Sequence, residues 1–296
     1  MFEGFREEMI PGAGADIFVR HGGKADGPGL LLLHGYPQTS AMWHKVAPQL
    51  ADKYHVVCAD LRGYGRSSKP QTDAQHSPYS KRAMAADMVK VMAHLGHDRF
   101  YVGAHDRGAR VAHRLGLDHA GAVKAIAMLD IAPTREMYRK TDDAFARAYW
   151  HWFYLILPAP LPETMIGSNP DAYWKFKCKA QNAGASPFAP EALDEYLTMF
   201  RNPDVIHASC EDYRAAASID IAHDDADDEN GMGKLAMPLL VMWGKRGVIE
   251  RCFDALALWR ERAENVSGFS LPGGHYLAEE LPDQVATHFR DFFEKY

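Results

Sequence analysis

The chain has 296 residues, and 33 Lys and Arg against 39 Asp and Glu give it a formal net charge of −6. This length suits one large domain, or one domain that carries an insertion. With 47% hydrophobic and 24% charged residues, the composition is typical of a globular protein and excludes disordered and fibrous classes. Because no long basic run could neutralise phosphates, nucleic acid and anionic membranes are not expected partners.

The cysteines and the N-terminus bear on the cellular compartment. The N-terminus carries acids where a signal peptide needs a basic start, and no run approaches the ~18 apolar residues of a membrane span. Four cysteines stand far apart without a Cys-x-x-Cys pair, which argues against a disulfide framework and a zinc site: Cys58, Cys178, Cys210 and Cys252. We therefore expect a cytoplasmic protein with reduced cysteines and no metal.

In the first 130 residues, short apolar runs bounded by Gly or His alternate with amphipathic stretches. Between two of these runs, apolar side chains recur at helical spacing from Ala83 to Leu95, and Gly96 follows as a helix C-cap. The rhythm predicts strand–helix units around a parallel sheet, with strands at residues 30–33, 56–59, 100–104 and 125–129.

A segment from residue 133 to residue 235 interrupts this rhythm. It is rich in Trp, Tyr, Phe and Pro and shows no strand alternation, so we interpret it as a helical cap inserted into a core domain. The core domain then comprises residues 1–132 and 236–296. Within the cap, helices are predicted at residues 143–157 and 190–200.

After the insertion, the core rhythm resumes with predicted strands at residues 239–243 and 266–271 and an amphipathic tail at residues 279–293. The acidic run at residues 223–229 lacks the spacing of a calcium loop, and we interpret it as a solvated loop. The predicted fold is α/β, with a mostly parallel central sheet, helices on both faces and an inserted helical cap.

Small residues flank Asp106 at the point where a predicted strand gives way to a helix. Ala104 and Gly108 stand two positions to either side, which is the spacing of a nucleophile elbow, whose strained turn needs minimal side chains. An ionised Asp at a helix N-terminus needs no base and can attack an sp³ carbon to give an alkyl ester. The alternative is an Asp that merely caps an ordinary helix.

Three further segments favour catalysis. The turn at residues 34–37 follows a strand, where hydrolases of this architecture place one backbone N–H of the oxyanion hole; the other belongs to the residue after the nucleophile. His275 lies on a Gly-rich loop after the last predicted strand, which is the position of the base. Asp130 ends the strand after the nucleophile helix and can orient an imidazole. A packed histidine and a turn aspartate are the alternatives.

Arg107 and Arg110 stand three residues apart on the first turn of the helix after Asp106, so both guanidiniums can face one pocket. Two such donors offset the repulsion between Asp106 and a carboxylate substrate, which favours a small 2-substituted carboxylate. The alternative is that the arginines pair with surface acids on an exposed helix.

In the predicted cap, His151 and Trp152 lie on an aromatic helix, and Tyr213 lies in a later segment, residues 211–215. Imidazole, indole N–H and phenol O–H are donors that can converge on a leaving anion. Most other aromatic residues of the helix are expected to belong to the core.

Together these features resemble the α/β-hydrolase superfamily, and an Asp nucleophile narrows the likeness to relatives of the haloalkane dehalogenases and soluble epoxide hydrolases. The elbow motif His-Asp-Arg-Gly-x-Arg, His-Trp in the cap, Cys-Glu-Asp-Tyr-Arg-Ala after it and Gly-Gly-His near the end closely resemble the fluoroacetate (haloacetate) dehalogenases. The resemblance covers nearly the whole chain. It implies a homodimer that needs no metal or organic cofactor.

The resemblance also implies roles for matching residues. It makes Asp106 the nucleophile, Asp130 and His275 the pair that activates water, and Arg107 and Arg110 the ligands of the substrate carboxylate.

The resemblance further makes His151, Trp152 and Tyr213 the halide donors, with Tyr36 lining the pocket and supplying a backbone donor. Two departures from the family pattern stand out. Ala104 occupies a position where the family usually has Gly, and Tyr36 one where it usually has Phe.

We therefore expect a hydrolytic dehalogenase that converts a small anionic haloacetate, fluoroacetate foremost, into glycolate and halide through a covalent aspartyl ester. One alternative is an epoxide hydrolase with the same nucleophile and with Tyr213 and Tyr154 as proton donors; Trp152 and the arginine pair argue against it. The other is a non-catalytic ligand-binding protein on the same scaffold. The preference among fluoride, chloride and bromide stays open.

Overall fold

A computed structural model describes residues 1–180 and 186–296. In these ranges eight strands form one sheet of order β1-β2-β4-β3-β5-β6-β7-β8, in which β2 runs antiparallel to both of its neighbours, β1 and β4, and the other neighbours pair in parallel. The strands are β1 (Arg6–Pro11), β2 (Asp16–Gly23), β3 (Gly29–Leu33), β4 (His55–Ala59), β5 (Phe100–His105), β6 (Val123–Leu129), β7 (Leu239–Gly244) and β8 (Val266–Leu271).

The helices of the core cover both faces of this sheet. Those before the insertion are α1 (Ala47–Leu50), α2 (Lys81–His94) and α3 (Arg107–Asp118), with 3₁₀ turns at Ser40–Trp43, Ser77–Tyr79 and Ala120–Ala122. Those after it are α12 (Val248–Cys252), α13 (Ala255–Arg262), α14 (Leu277–Glu280) and α15 (Pro282–Phe293).

Eight helices lie between β6 and β7 in the described part of the chain, and no strand interrupts them there. They are α4 (Thr134–Arg139), α5 (Asp143–Ala148), α6 (Trp150–Leu155), α7 (Leu161–Ser168), α8 (Pro170–Ala180), α9 (Pro190–Phe200), α10 (Pro203–Ala216) and α11 (Ile219–Glu229). We call them the inserted helices. None of the helices in the described ranges is long and apolar enough to cross a membrane.

All six predicted strands are present, and their side chains explain why. β3 and β5 are buried along their whole length, as continuous apolar runs in a parallel sheet should be. The strands β1 and β2 were not predicted. β1 is mostly exposed and polar, so its place depends on the backbone ladder that pairs it with β2 rather than on an apolar pattern.

Two predicted helices are divided. The helix expected at residues 143–157 breaks at Tyr149, and the tail expected at residues 279–293 breaks at Leu281, directly before Pro282. Pro282 lacks an N–H and therefore begins a new helix instead of continuing the old one.

The acidic run at residues 223–229 is not a solvated loop, as predicted, but the body of α11. Its carboxylates contact arginines on neighbouring helices: Arg114 binds Asp224 and Asp227, and Arg135 binds Asp225. These ion pairs explain why a segment with so many like charges forms a helix.

Candidate active site

Asp106 lies between β5 and α3 with φ at +47°, the strained geometry of a sharp strand-to-helix turn. Gly108 is required there because a Cβ at its position would lie 2.5 Å from the carbonyl oxygen of His34. Within the described chain, the Asp106 side chain makes no helix-capping hydrogen bond. Instead, the backbone N–H of Tyr36 donates to its Oδ1 at 3.0 Å. The structure thus contradicts the helix-cap alternative.

The sequence predicted a backbone N–H donor in the turn after β3, and the N–H of Tyr36 lies in that turn. The second predicted donor, the backbone N–H of Arg107, donates to no group in the part of the chain that the structure describes. One carboxylate oxygen of Asp106, Oδ1, is therefore fixed by the backbone, and Oδ2 is the oxygen available for attack.

The charges around Asp106 keep its carboxylate ionised. Burial raises the pKa of this carboxyl, but nearby groups outweigh burial and hold the pKa below its usual range. In order of their effect, these groups are His275, His105, Lys177 and Arg110. An ionised carboxylate can attack carbon without a general base.

His275 and Asp130 form the pair that the sequence predicted, with Nδ1 of His275 2.6 Å from Oδ2 of Asp130. Burial lowers the pKa of His275 to about 4 and raises the pKa of Asp130 to about 7, while the backbone N–H of Gly244 donates to Oδ1 of Asp130 at 2.9 Å. Because that donor favours the carboxylate, we assign the proton to Nδ1. Nε2 of His275, buried and without a partner among the described residues, is then free to act as a base.

Arg110 is a buried cation that forms no salt bridge with the described residues. Its Nη1 donates to Oγ1 of Thr134 at 2.7 Å and to the carbonyl of Ala132 at 3.3 Å, and its guanidinium lies 4.5 Å from the centre of the Trp152 ring. Burial, together with the charge of Arg107, lowers its pKa to about 10, so it remains protonated at neutral pH. This charge is available to an anionic ligand.

Arg107, unlike Arg110, forms a salt bridge with a described residue, and the prediction that both guanidiniums face one pocket applies to its remaining nitrogen only. Its Nε and Nη2 donate to the carboxylate of Asp212 at 2.8 and 2.7 Å, and only Nη1 is left without a partner in the described structure. The alternative of surface ion pairs on an exposed helix is wrong, since Arg107 and Arg110 are both buried.

The predicted halide donors lie together. The ring of Tyr213 is 5.8 Å from that of His151 and 6.2 Å from that of Trp152, centre to centre. Nε1 of Trp152 and the hydroxyl of Tyr213 are buried and have no hydrogen-bond partner within the described ranges. Burial holds the pKa of His151 well below its ordinary value, so its neutral ring offers one N–H. The three side chains can surround a small anion.

Tyr36 contributes more than its backbone. Its ring stacks on His151 at 6.1 Å and meets Tyr213 edge-on at 5.3 Å. Its hydroxyl, the group that distinguishes it from Phe, donates to the hydroxyl of Tyr173 on α8 at 3.1 Å. Having Tyr instead of Phe at position 36 therefore adds a contact between the core and the inserted helices.

Tyr154, which the epoxide hydrolase alternative pairs with Tyr213, lies elsewhere. Its ring contacts Trp150 and Tyr173, at 5.9 and 6.4 Å, and makes no contact with Tyr213 among the described side chains. The rings of Tyr154 and Tyr213 therefore do not pack against each other.

Comparisons with known proteins identify the family of this chain. The family model for the alpha/beta hydrolase fold matches residues 28–280. The chain belongs to the α/β-hydrolase family. A fluoroacetate dehalogenase from Burkholderia sp is 45% identical over 294 residues, which are 99% of this chain and 95% of the relative. A soluble epoxide hydrolase from Corynebacterium sp. (strain C12) is 30% identical over 271 residues, 89% of each chain.

A solved structure from Nostoc sp PCC 7120, described as an alpha/beta hydrolase, has 53% identity and a TM-score of 0.96, with 99% of each chain covered. Both the hydrolase fold and the resemblance to haloacetate dehalogenases are thus confirmed, and the epoxide hydrolase is the more distant relative.

In this α/β hydrolase, two charged residues near the site were not predicted. Lys177 on α8 is buried, and its Nζ donates to the carbonyl of Tyr36 at 2.8 Å. Asp212, next to Tyr213 on α10, binds Arg107. The motif around Tyr213 contained Asp212, but nothing in its spacing indicated which core residue it would contact, and Lys177 lies in a segment with no recognisable pattern.

One cluster in the described part of the hydrolase has ligand atoms close enough to share a metal ion, formed by Glu163, His207 and Glu211. Nη1 of Arg214 lies 2.7 Å from Oε1 of each glutamate. Because a guanidinium already occupies the space between the carboxylates, we interpret the cluster as an ion-pair network that joins α7 and α10.

Proposed function

We propose that this hydrolase converts haloacetates, including fluoroacetate, to glycolate and halide through an ester on Asp106. One observation carries the proposal. Beside an ionised carboxylate, the site gathers buried donors that lack partners among the described residues: Nη1 of Arg107, Nε of Arg110, Nε1 of Trp152 and the hydroxyl of Tyr213. A small substrate with a carboxylate at one end and a halogen at the other satisfies such donors.

In the first step, Oδ2 of Asp106 attacks the carbon that bears the halogen. A C–O bond forms, the C–halogen bond breaks, and the electron pair leaves with the halide. Arg107 and Arg110 bind the substrate carboxylate and offset its repulsion by Asp106. The donors of His151, Trp152 and Tyr213 bind the departing halide, and this matters most for fluoride, the poorest leaving group.

In the second step, water hydrolyses the ester. Nε2 of His275 takes a proton from the water, whose oxygen attacks the ester carbonyl of Asp106, and Asp130 stabilises the imidazolium that results. The N–H of Tyr36, already on Oδ1, stabilises the oxyanion that develops on that oxygen. Cleavage releases glycolate, whose hydroxyl oxygen takes the proton from the imidazolium of His275, and the carboxyl of Asp106 loses its proton to solvent and returns to the carboxylate.

Epoxide hydrolysis with Tyr213 and Tyr154 finds less support, because these rings lie apart, whereas Trp152 and the arginine pair suit a haloacid. A binding protein without turnover finds less support because the base and the nucleophile are both in place.

We test the proposal with His275→Asn, which keeps the nucleophile and removes the base. With chloroacetate or fluoroacetate, the variant should release about one halide per active site and then stop, and its mass should rise by one carboxymethyl group on the peptide that contains Asp106. His94→Asn, at an exposed histidine, should turn over normally. Steady turnover by His275→Asn, or hydrolysis of epoxides but not haloacetates by the native enzyme, would overturn the proposal.

We also propose that residues 133–235 act as a cap over a core of residues 1–132 and 236–296, and that the enzyme is a cytoplasmic homodimer. The free cysteines among the described residues are compatible with a reducing compartment. Exposed apolar side chains on the inserted helices, Leu161, Met165 and Phe176, suit a subunit interface. Sedimentation analysis would give the oligomeric state.

A further inference from the structure

The carboxylate of Asp212 is buried where α10, an inserted helix, meets the core. Besides Arg107, it accepts a hydrogen bond from the hydroxyl of Tyr64 at 2.6 Å on Oδ2, and Nζ of Lys81 binds its Oδ1. Arg107, Tyr64 and Lys81 all belong to the core. One residue of the insertion thus joins three separate core groups.

The contacts with Asp212 engage every N–H donor of Arg107 except those of Nη1. A guanidinium has five N–H donors. Nε–H binds Oδ2 of Asp212, and the two hydrogens of Nη2 bind Oδ1 and the backbone carbonyl of the same residue, at 2.7 and 2.9 Å. The ring of Tyr213 lies beneath the guanidinium, 4.1 Å from its central carbon. Only Nη1 remains for a ligand.

Lys81 affects the charge of this arrangement. Nζ of Lys81 binds Oδ1 of Asp212, the oxygen that also accepts from Nη2 of Arg107, so the negative charge of Asp212 is shared between two cations. Lys81 is itself buried and lies 3.4 Å from Oδ2 of Asp220, so the network contains two cations and two carboxylates.

We propose that Asp212 is a positioning residue for substrate binding: it fixes Arg107 so that Nη1 faces the substrate carboxylate, and it does so only when α10 is docked on the core. This inference rests on the proposed function. The hydrogen bonds between Asp212 and Arg107 then do two things: they hold α10 on the core, and they fix Arg107 for the substrate carboxylate. The affinity for the carboxylate therefore depends on the docking of α10.

Asp212→Asn tests this inference, since it removes the charge and retains the shape. We expect the Kd of acetate, measured by NMR titration, and the KM for chloroacetate to rise by about tenfold or more, with kcat changed by less than about threefold. Asp204→Asn, at an exposed position of the same helix, is the control and should change neither constant. Acetate binding by Asp212→Asn as tight as in the native enzyme would overturn the inference.

Two further variants separate positioning from general stability. If Asp212 acts through Arg107, Asp212→Asn should add little to the acetate Kd of Arg107→Lys, whereas a merely structural role gives additive effects. If Asp212→Asn does not fold, Tyr64→Phe, which removes one hydrogen bond to Asp212, decides: it should still raise the acetate Kd, and an unchanged Kd contradicts the inference. Acetate binding without any turnover of chloroacetate would instead contradict the proposed function.

Discussion

Several side chains in this site have buried polar atoms without a hydrogen-bond partner among the described residues. A buried polar atom without a partner loses about 1–3 kcal/mol relative to one that is satisfied. Nε of Arg110, Nε1 of Trp152 and the hydroxyl of Tyr213 all lie within one group of residues beside Asp106, without partners in the described ranges. Hydrogen-bond donors that lack partners are stabilised most by a ligand that carries two separate acceptors.

Trp152→Phe tests the halide role of one such donor. The change keeps an aromatic ring and removes the indole N–H. We expect turnover of fluoroacetate to fall by about tenfold or more, because a hydrogen bond to a charged group contributes about 1.5–3 kcal/mol, whereas bromide departs readily and bromoacetate turnover should fall by less than about threefold. A fluoride electrode and bromide titration measure the two rates.

The neighbouring Trp150→Phe is the matched control: Trp150 packs against Tyr154, Tyr173 and His151, and its indole N–H is not one of the buried donors without a partner among the described residues, so the change should affect both substrates equally. Equal losses with Trp152→Phe would mean that Trp152 only fills space.

Side chains that follow strands were the predictable part of the site. Asp106 and Asp130 come directly after parallel strands and His275 lies on the loop that follows one, and the carboxyl ends of such strands meet at one edge of the sheet. The partners of Arg107 were not predictable, because the contact with Asp212 spans 105 positions along the chain and depends on how α10 packs. For the same reason, the pairing of Arg107 was missed although both segments had been singled out.

Among the elements, the strand–turn–helix unit around Asp106 is tightly constrained. A Cβ on Gly108 would lie 2.5 Å from the carbonyl oxygen of His34 and 2.7 Å from the carbonyl carbon of Leu33. Both atoms are backbone of the segment that carries the Tyr36 N–H, so they cannot move without moving this donor.

We therefore expect Gly108→Ala to reduce the free energy of unfolding by about 1–3 kcal/mol, the usual range for overpacking, and to abolish most activity. Gly121→Ala is the control, because a Cβ there meets no atom within 4 Å. Urea unfolding and initial rates of halide release measure the two effects. Full activity in Gly108→Ala would show that the contact between turn and elbow is dispensable.

Elements with a strong apolar pattern were predicted correctly, and those held by other forces were not. The buried strands followed from continuous apolar runs, whereas β1 depends on its ladder with β2 and α11 on arginines from α3 and α4. The break at Tyr149, where φ is −111°, has no Pro or Gly to mark it. Such a break depends on tertiary packing, which local sequence does not encode.

At the scale of the whole molecule, the core and the inserted helices form the site jointly. The core contributes Asp106 and the arginines, and the insertion contributes Trp152 and Tyr213. Another polar contact joins the two parts: the hydroxyl of Tyr196 on α9 donates to Oε1 of Glu279 on α14 at 2.5 Å. Glu279 is buried, so its protonation state directly affects this contact between Tyr196 and Glu279.

The contact between Tyr196 and Glu279 should make the free energy of unfolding depend on pH. Burial raises the pKa of Glu279 to about 7, despite the opposing effects of Tyr196 and of Lys45, whose Nζ lies 3.7 Å away; His44 lies 3.9 Å away. A carboxyl whose pKa is raised on folding binds more protons in the folded state. Its contribution to stability is therefore lost as pH rises through the interval between the unfolded and folded values.

Glu279→Gln removes this titration while keeping a buried amide in place of the protonated acid. Between pH 5.5 and pH 8.5, the native enzyme should lose about 2 kcal/mol of unfolding free energy relative to Glu279→Gln, since one pKa unit corresponds to about 1.4 kcal/mol. Urea unfolding at the two pH values measures the difference, and Glu264→Gln, at an exposed position, should track the native enzyme. A constant difference in unfolding free energy between Glu279→Gln and the native enzyme across this range would mean that Glu279 ionises in the folded state as it does in the unfolded chain. The contact between Tyr196 and Glu279 would then be insensitive to pH.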